Sequence, residues 1–220
     1  MIHIQKHSPP NKFVEFLQQN KNAHFDDMPS EVKQILRDSL LDDMPSEVKQ
    51  ILRDSLLKEQ GYLCAYCMSR IDEKNIKIEH YVPQNNENEL DYKNLLAVCE
   101  GNSFGNEDKY QHCDTKKGNK TLKIDPQNKY HISKISYKPD GTIYSNEFND
   151  DLNKILNLNG NDKDEDEDKD EDKDKDEGYL KNNRKTALNA LKMKIKLKYK
   201  DKTATLNFLK KTLNFYTSLN

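Results

Sequence analysis

The chain has no tryptophan and only 7 glycines in 220 residues. It holds neither G-x-G-x-x-G nor G-x-x-x-x-G-K-[ST], which excludes the two common glycine-rich phosphate cradles. No apolar run approaches the roughly 18–20 residues needed to span a bilayer, and no signal-peptide pattern opens the sequence. Both absences point to a cytoplasmic protein with no membrane contact. Hydrophobic residues make up 34% and charged residues another 34%, so part of the chain lies outside any core. Cysteine is scarce as well: four residues, with no spare thiol.

Those four cysteines carry most of the information. Cys64-x₂-Cys67 is a close pair, and Cys99 and Cys113 form a looser one. In a reducing compartment such spacing predicts thiolates on a metal rather than disulfides, and the two pairs can close into a tetrahedral Cys₄ zinc site. Between the pairs stands Glu79-His80, a carboxylate beside an imidazole, which together with the cysteines suggests a nuclease.

The net charge of −2 hides a strong segregation. Residues 162–177 are eight Asp, four Glu and four Lys, a net −8, so the remainder of the chain carries +6. Residues 178–220 hold ten Lys and one Arg against one Asp, or +10, a field that attracts phosphate backbones. The acidic run at 161–177 reads as a disordered insert. One role for it is to screen the basic tail from non-specific nucleic acid, in which case its deletion raises low-salt binding.

A 16-residue segment, DDMPSEVKQILRDSLL, occupies 26–41 and recurs without a mismatch at 42–57. Sixteen residues turn a continuous helix by about 160° beyond whole turns, which would point the two apolar faces nearly opposite ways. Pro45 suits the start of a new helix, so the repeat predicts two short helices, each with an acidic first turn at Glu31 or Glu47. Which copy fills the packing slot stays open, because each keeps half of the presumed ancestral flanks.

Further along, Ile76-Lys-Ile-Glu79 alternates as a short strand, and Leu90–Cys99 reads as a turn leading into an apolar strand or helix start. His112-Cys-Asp-Thr-Lys-Lys-Gly-Asn opens a helix or turn. Tyr130–Tyr137 and Gly141–Tyr144 alternate like a hairpin around Lys-Pro-Asp-Gly. Leu188, Leu191, Ile195 and Tyr199, then Leu206, Leu209, Leu213 and Tyr216, mark two amphipathic basic helices. Met1–Pro10 has no core-forming pattern and reads as a docking arm. Tyr81 and Tyr92 read as packing residues.

The order C-x₂-C, E-H-x-x-P, Tyr-x-Asn-Leu-Leu ending in Cys99, then H-C-D-x-x-K-G-N resembles an HNH endonuclease of the ββα-metal class. Met1-Ile-His-Ile, Phe25-Asp-Asp-Met-Pro, Glu59-Gln-Gly-Tyr-Leu-Cys-Ala-Tyr-Cys, Ile78-Glu-His-Tyr-Val-Pro and Leu90-Asp-Tyr-Lys-Asn-Leu-Leu are similar to the PtuB-like HNH proteins associated with retrons and Septu systems. The resemblance covers roughly residues 1–135 and does not extend to the duplicated copy or the acidic insert. It implies an α+β fold, mostly helical, with a zinc-stapled ββα-metal core at 61–135. An N-terminal arm with the duplicated helices would occupy 1–60. A hairpin and short helix at 136–160, the insert at 161–177 and basic helices at 178–220 would follow. The implied partners are a PtuA-like ABC-type ATPase, a DNA or RNA substrate and, in a retron context, retron DNA and a reverse transcriptase.

The chemistry then assigns roles. His80 is the general base, since neutral imidazole takes a proton near pH 7. Glu79 and Asp114 offer oxygens to Mg²⁺ or Mn²⁺, although Asp114 stands where HNH sequences usually carry His or Asn. Lys117 meets a phosphate oxygen, with Lys116 as a substitute, and Asn94 pins the loop that aims His80. Cys64, Cys67, Cys99 and Cys113 hold a structural zinc, while His112 stays outside the ligand set. Two readings compete with the nuclease: a zinc-knuckle nucleic-acid-binding protein without catalysis, and a scaffold that only binds the ATPase.

Overall fold

The computed structural model describes residues 1–21, 44–84, 88–102, 110–160 and 179–198, with 203, 204, 206, 207, 209 and 210 beyond them. The first repeat copy, the acidic insert, Tyr199, Leu213 and Tyr216 lie outside the described residues. The fold is α+β. Helix α1 (Asn11–Lys21) and helix α2 (Ser46–Glu59) precede an antiparallel pair, β1 (Ile76–His80) and β2 (Leu95–Cys99). Helix α3 (Cys113–Lys117) packs on β2, and α4 (Lys129–Ser133), a small hairpin β3 (Ser136–Tyr137) and β4 (Ile143–Tyr144), and α5 (Tyr179–Lys198) follow.

The second repeat copy supplies α2. Pro45 sits immediately before its first residue, where a missing N–H costs nothing, and Glu47 lies in its first turn against the helix dipole. Leu52, Leu56 and Leu57 are fully buried. Truncating one of them to Ala costs about 2–5 kcal/mol by the usual cavity penalty. Glu59 and Gln60, which follow only the second copy, extend the docking. Gln60 pairs both sides of its amide with the Ala97 backbone: Nε2 donates to the carbonyl at 2.7 Å and Oε1 accepts from the N–H at 2.8 Å. Strand β2, paired with β1 along one edge, is thereby met by Gln60 at Ala97. Leu95, Leu96, Ala97 and Val98 are all fully buried there.

Residues 1–10 are not a free arm. Met1 and Ile4 are buried in the core, and the Ile4 N–H donates to the Pro126 carbonyl at 2.9 Å. Lys6 is buried too. Its Nζ reaches the Leu95 carbonyl at 2.7 Å and Glu59 at 3.6 Å, while Glu59 accepts from the Tyr92 hydroxyl at 2.6 Å. Burial holds the Lys6 ammonium down at about 8, with Glu59 opposing. The segment escaped a pattern search because only two of its first ten residues enter the core.

The expected long hairpin is also shorter. Residues 129–133 form α4, because the Asn128 side chain caps the Tyr130 and His131 N–H groups. The strands pair only at Ser136↔Tyr144 and Tyr137↔Ile143. Gly141 closes the turn at φ 90°, where a Cβ would stand 2.1 Å from the Lys181 carbonyl oxygen. Arg184 of α5 donates to the Gly141 and Leu158 carbonyls at 2.7 and 2.8 Å and so docks the helix start. Farther along α5, Leu191 and Met193 are exposed, as are Leu206 and Leu209 beyond it.

Candidate active site and metal centre

The segment after α2 turns back on itself at Leu63↔Arg70. Within that turn the Met68 N–H donates to the Cys64 carbonyl at 3.1 Å and the Ser69 N–H to the Cys67 Sγ at 3.4 Å. Cys99 ends β2 and Cys113 begins α3, and the four sulfurs lie within 4.8 Å of one another. The Cys64–Cys113 and Cys67–Cys99 separations are 3.8 and 3.7 Å. Two sulfurs on a tetrahedral zinc with bonds of about 2.3 Å stand roughly 3.8 Å apart, so the cluster fits that ion without rearrangement. The charges ask for a cation too. Hydrogen bonds, first from Cys113 and then Cys64, hold the Cys67 thiol down at about 7 and Cys99 well below its usual range. Burial pushes Cys64 and Cys113 up. A dication makes all four thiolates compatible.

Cys113 has a left-handed backbone (φ 55°), a conformation that costs a non-glycine residue on the order of 1–3 kcal/mol. Its N–H donates to the Leu156 carbonyl at 2.9 Å, which with the sulfur cluster fixes it. His112 stands 3.2 Å from the Cys113 Sγ and 4.0 Å from the Cys99 Sγ, beside a complete set of four sulfurs.

The second centre lies between β1 and α3. Alternation along β1 puts Lys77 and Glu79 on one face. Glu79 Oε1 is 2.6 Å from the Lys117 Nζ and accepts from the Tyr66 hydroxyl at 3.2 Å. Asp114, on the neighbouring helix, has its carboxylate 2.9 Å from the Lys77 Nζ. Burial first, then the Asp114 carboxylate, push Glu79 up to about 8 against the pull of Lys117. Asp114 is held down by Glu79 and Lys77, in spite of its burial. Of the two carboxylates, Glu79 is therefore the one that is harder to ionise. Among the described residues no third Cys, His, Asp or Glu joins them at ligand distance. A hard cation held there by two carboxylates would complete its shell with water and phosphate oxygens, which suits Mg²⁺ or Mn²⁺.

His80 ends β1. Its Nε2 is 2.8 Å from the Glu89 carbonyl oxygen, which can only accept, so Nε2 carries the hydrogen and Nδ1 keeps the lone pair. Burial, and then the Lys117 charge, hold His80 below the ordinary histidine range against that hydrogen bond. Asn94 closes the loop after β1. Its Oδ1 accepts from the Val82 N–H at 2.7 Å, and its Nδ2 donates to the Val82 and Asn88 carbonyls at 3.0 and 3.4 Å.

Glu79 and Lys117 are thus in direct contact, Asp114 is paired with Lys77, and the His80 carbonyl binds the Lys117 ammonium, with Asn94 one strand away. Lys117 departs from expectation: its side chain is 1% exposed, and its ammonium is bound by Glu79, the His80 carbonyl at 3.1 Å and the Gly118 carbonyl at 3.4 Å. A helix position three after Asp114 faces β1 rather than solvent. Sequence reasoning missed Tyr66 and Lys77. The period-2 alternation that placed Glu79 on a face also placed Lys77 there, whereas nothing in Cys-x-Tyr-Cys marks the Tyr66 hydroxyl as a carboxylate donor.

A two-stranded antiparallel sheet, a short helix and a four-thiolate cluster make this an HNH-like core. No protein-family model matches the chain. Over 117 residues the sequence is 29% identical to a protein of Escherichia coli described as the inferred HNH endonuclease of retron Ec83. That alignment takes in 49% of this chain and 41% of the relative, so the chain spans about two fifths of the protein it matches. A solved structure, the type II-C Cas9 enzyme from Actinomyces naeslundii, aligns over 55% of this chain and 11% of that one, at 25% identity and a TM-score of 0.26, a likeness too slight to bear on fold or function. Among the described residues no helix is long and apolar enough to cross a membrane.

Proposed function

We propose that the chain is a metal-dependent HNH endonuclease that hydrolyses nucleic-acid phosphodiester bonds. The observation that carries this reading is the juxtaposition of the Glu79–Asp114 carboxylate pair with a His80 imidazole whose Nδ1 is left as an acceptor. Glu79 and Asp114 would hold Mg²⁺ or Mn²⁺, which supplies positive charge to the scissile phosphate. His80 Nδ1 takes a proton from the attacking water as its oxygen bonds to phosphorus. The P–O ester bond breaks, and the leaving oxygen takes a proton from solvent. Asn94 fixes the loop behind His80, and Lys117 orients Glu79 while its bond to the His80 carbonyl ties the two catalytic residues together. The four thiolates hold a structural zinc with no open position.

The finer reading is an effector of a bacterial anti-phage system of Septu or retron type, controlled by a PtuA-like ABC-type ATPase. Its support is the motif resemblance, together with a relative named for a retron. Retron DNA and a reverse transcriptase belong to that reading, as does cytoplasmic location.

The test is cleavage of plasmid DNA and total tRNA, with Mg²⁺ or Mn²⁺, with and without the ATPase. Cleavage lost in His80→Ala supports the nuclease and reveals its substrate class. The burial of Glu79, at 7% side-chain exposure and already ion-paired, favours a second reading, a zinc-knuckle binding module. Nucleic-acid binding with no cleavage under any condition selects that module. Loss of both leaves a scaffold for the ATPase.

A further inference from the structure

Two lysines neutralise the carboxylate pair, and they differ in one respect. Lys117 is walled in at 1% side-chain exposure, whereas Lys77 is 41% exposed. The carboxylates differ in the same sense, with Asp114 at 19% and Glu79 at 7%. The open side of this site is therefore the Lys77–Asp114 side, and a divalent cation arriving from solvent meets Lys77 first. The Lys77 ammonium has one further contact, the Thr115 Oγ1 at 3.4 Å. That hydroxyl is itself committed to the Glu100 carbonyl at 2.8 Å. A half-exposed ion pair is screened by solvent, so exchanging it costs little.

Charge then decides where Lys77 goes. A dication bound by two ionised carboxylates, with two ammonium groups beside them, leaves two positive charges over, which a phosphodiester anion and its more negative transition state offset. We propose that Lys77 alternates between Asp114 and a phosphate of the nucleic-acid substrate, holding the carboxylate in the cation-free protein and the phosphate oxygen in the loaded one. The inference rests on the nuclease reading. It moves the phosphate contact that sequence assigned to Lys117 onto the strand face opposite Asp114.

The experiment uses the zinc-loaded full chain in a His80→Ala background, so that substrate is bound and not cut. Mn²⁺ affinity is measured by calorimetry. Affinity for a short DNA duplex and for tRNA is then measured in Mn²⁺ across a salt series. Lys77→Met is expected to raise Mn²⁺ affinity about two- to fivefold by removing the competing ammonium. It should also lower the slope of log K against log salt by about 0.9 for duplex DNA, or about 0.7 on a single strand. Lys77→Arg restores the slope. Unchanged Mn²⁺ affinity, an unchanged slope, or a slope change found only in Lys116→Met overturns the proposal. If the parent chain cleaves nucleic acid and Lys77→Met still leaves the slope unchanged, Lys77 alone is misassigned. If the parent neither cleaves nor binds, the nuclease reading fails with it.

Discussion

Helix α3 is five residues long and serves two centres of opposite character. Its first residue, Cys113, belongs to a closed cluster of four soft ligands within 4.8 Å of one another. Its second and last, Asp114 and Lys117, belong to a half-open pair of carboxylates balanced by two lysines. The sulfur cluster ties together the knuckle, the end of β2 and the start of α3, so it sets the distance between β1 and α3 that the carboxylates need. One centre is therefore a staple, and the other depends on it. Such a division predicts that damage to the first destroys both, while damage to the second spares the first.

The largest expected effect follows from breaking the staple. Cys113→Ser leaves three thiolates around a site that wants four, and it frees a strained left-handed residue at the start of α3. Zinc content should fall well below one per chain. The cooperative thermal transition should be lost or lowered by tens of degrees, and cleavage should vanish with it. A variant with normal melting would mean that packing by Leu56 and β2, rather than the metal, holds the core.

His80→Ala tests the other half of the comparison. General-base catalysis is worth about 10²–10⁴-fold, so cleavage should fall by that factor while zinc content and melting temperature stay near the parent values. A large drop in stability would recast His80 as a structural residue whose bond to Glu89 merely closes a loop.

Lys117→Met lies between these extremes. It removes a buried ammonium from its partner carboxyl group, and breaking such a buried pair costs on the order of 3–5 kcal/mol. Adding Glu79→Gln to the same chain should recover most of that stability and none of the cleavage. Chemical denaturation of the single and double variants makes the comparison. Additive losses would show that the pair is not coupled.

What could be read beforehand follows the same boundary. The sulfur cluster was legible because four cysteines at characteristic spacing leave few arrangements, and Glu79, His80 and Asn94 because a short motif orders them along one hairpin. Lys117 was legible as a residue, but its burial was not, since that depends on how α3 lies across β1, a tertiary fact with no local signature. Lys6 and Ile4 were missed for a related reason, since isolated core residues in a proline-ended arm make no periodic pattern. Identity of sequence offered no ground for choosing between the repeat copies. The second copy packs in the core, and Glu59 and Gln60 just beyond it bond to Tyr92 and Ala97.

The smallest effect is a pH dependence that the sulfur centre should not share. In the zinc-loaded protein without added Mg²⁺ or Mn²⁺, Glu79 titrates near 8, against an ordinary value of 4.5 in the unfolded chain. Between those values the folded state holds a proton that the unfolded state has released. The contribution of Glu79 to stability is thus fully present below about 4.5 and is lost as pH rises through about 8. Glu79→Gln keeps a hydrogen-bonding group of similar shape and removes the titration. The stability difference between parent and variant, read from urea midpoints, should shift in favour of the variant from pH 5 to pH 8. Saturating Mg²⁺ should shrink that shift, because the cation favours the carboxylate in the folded state. A difference that stays flat across the range would mean that Lys117 keeps Glu79 ionised throughout.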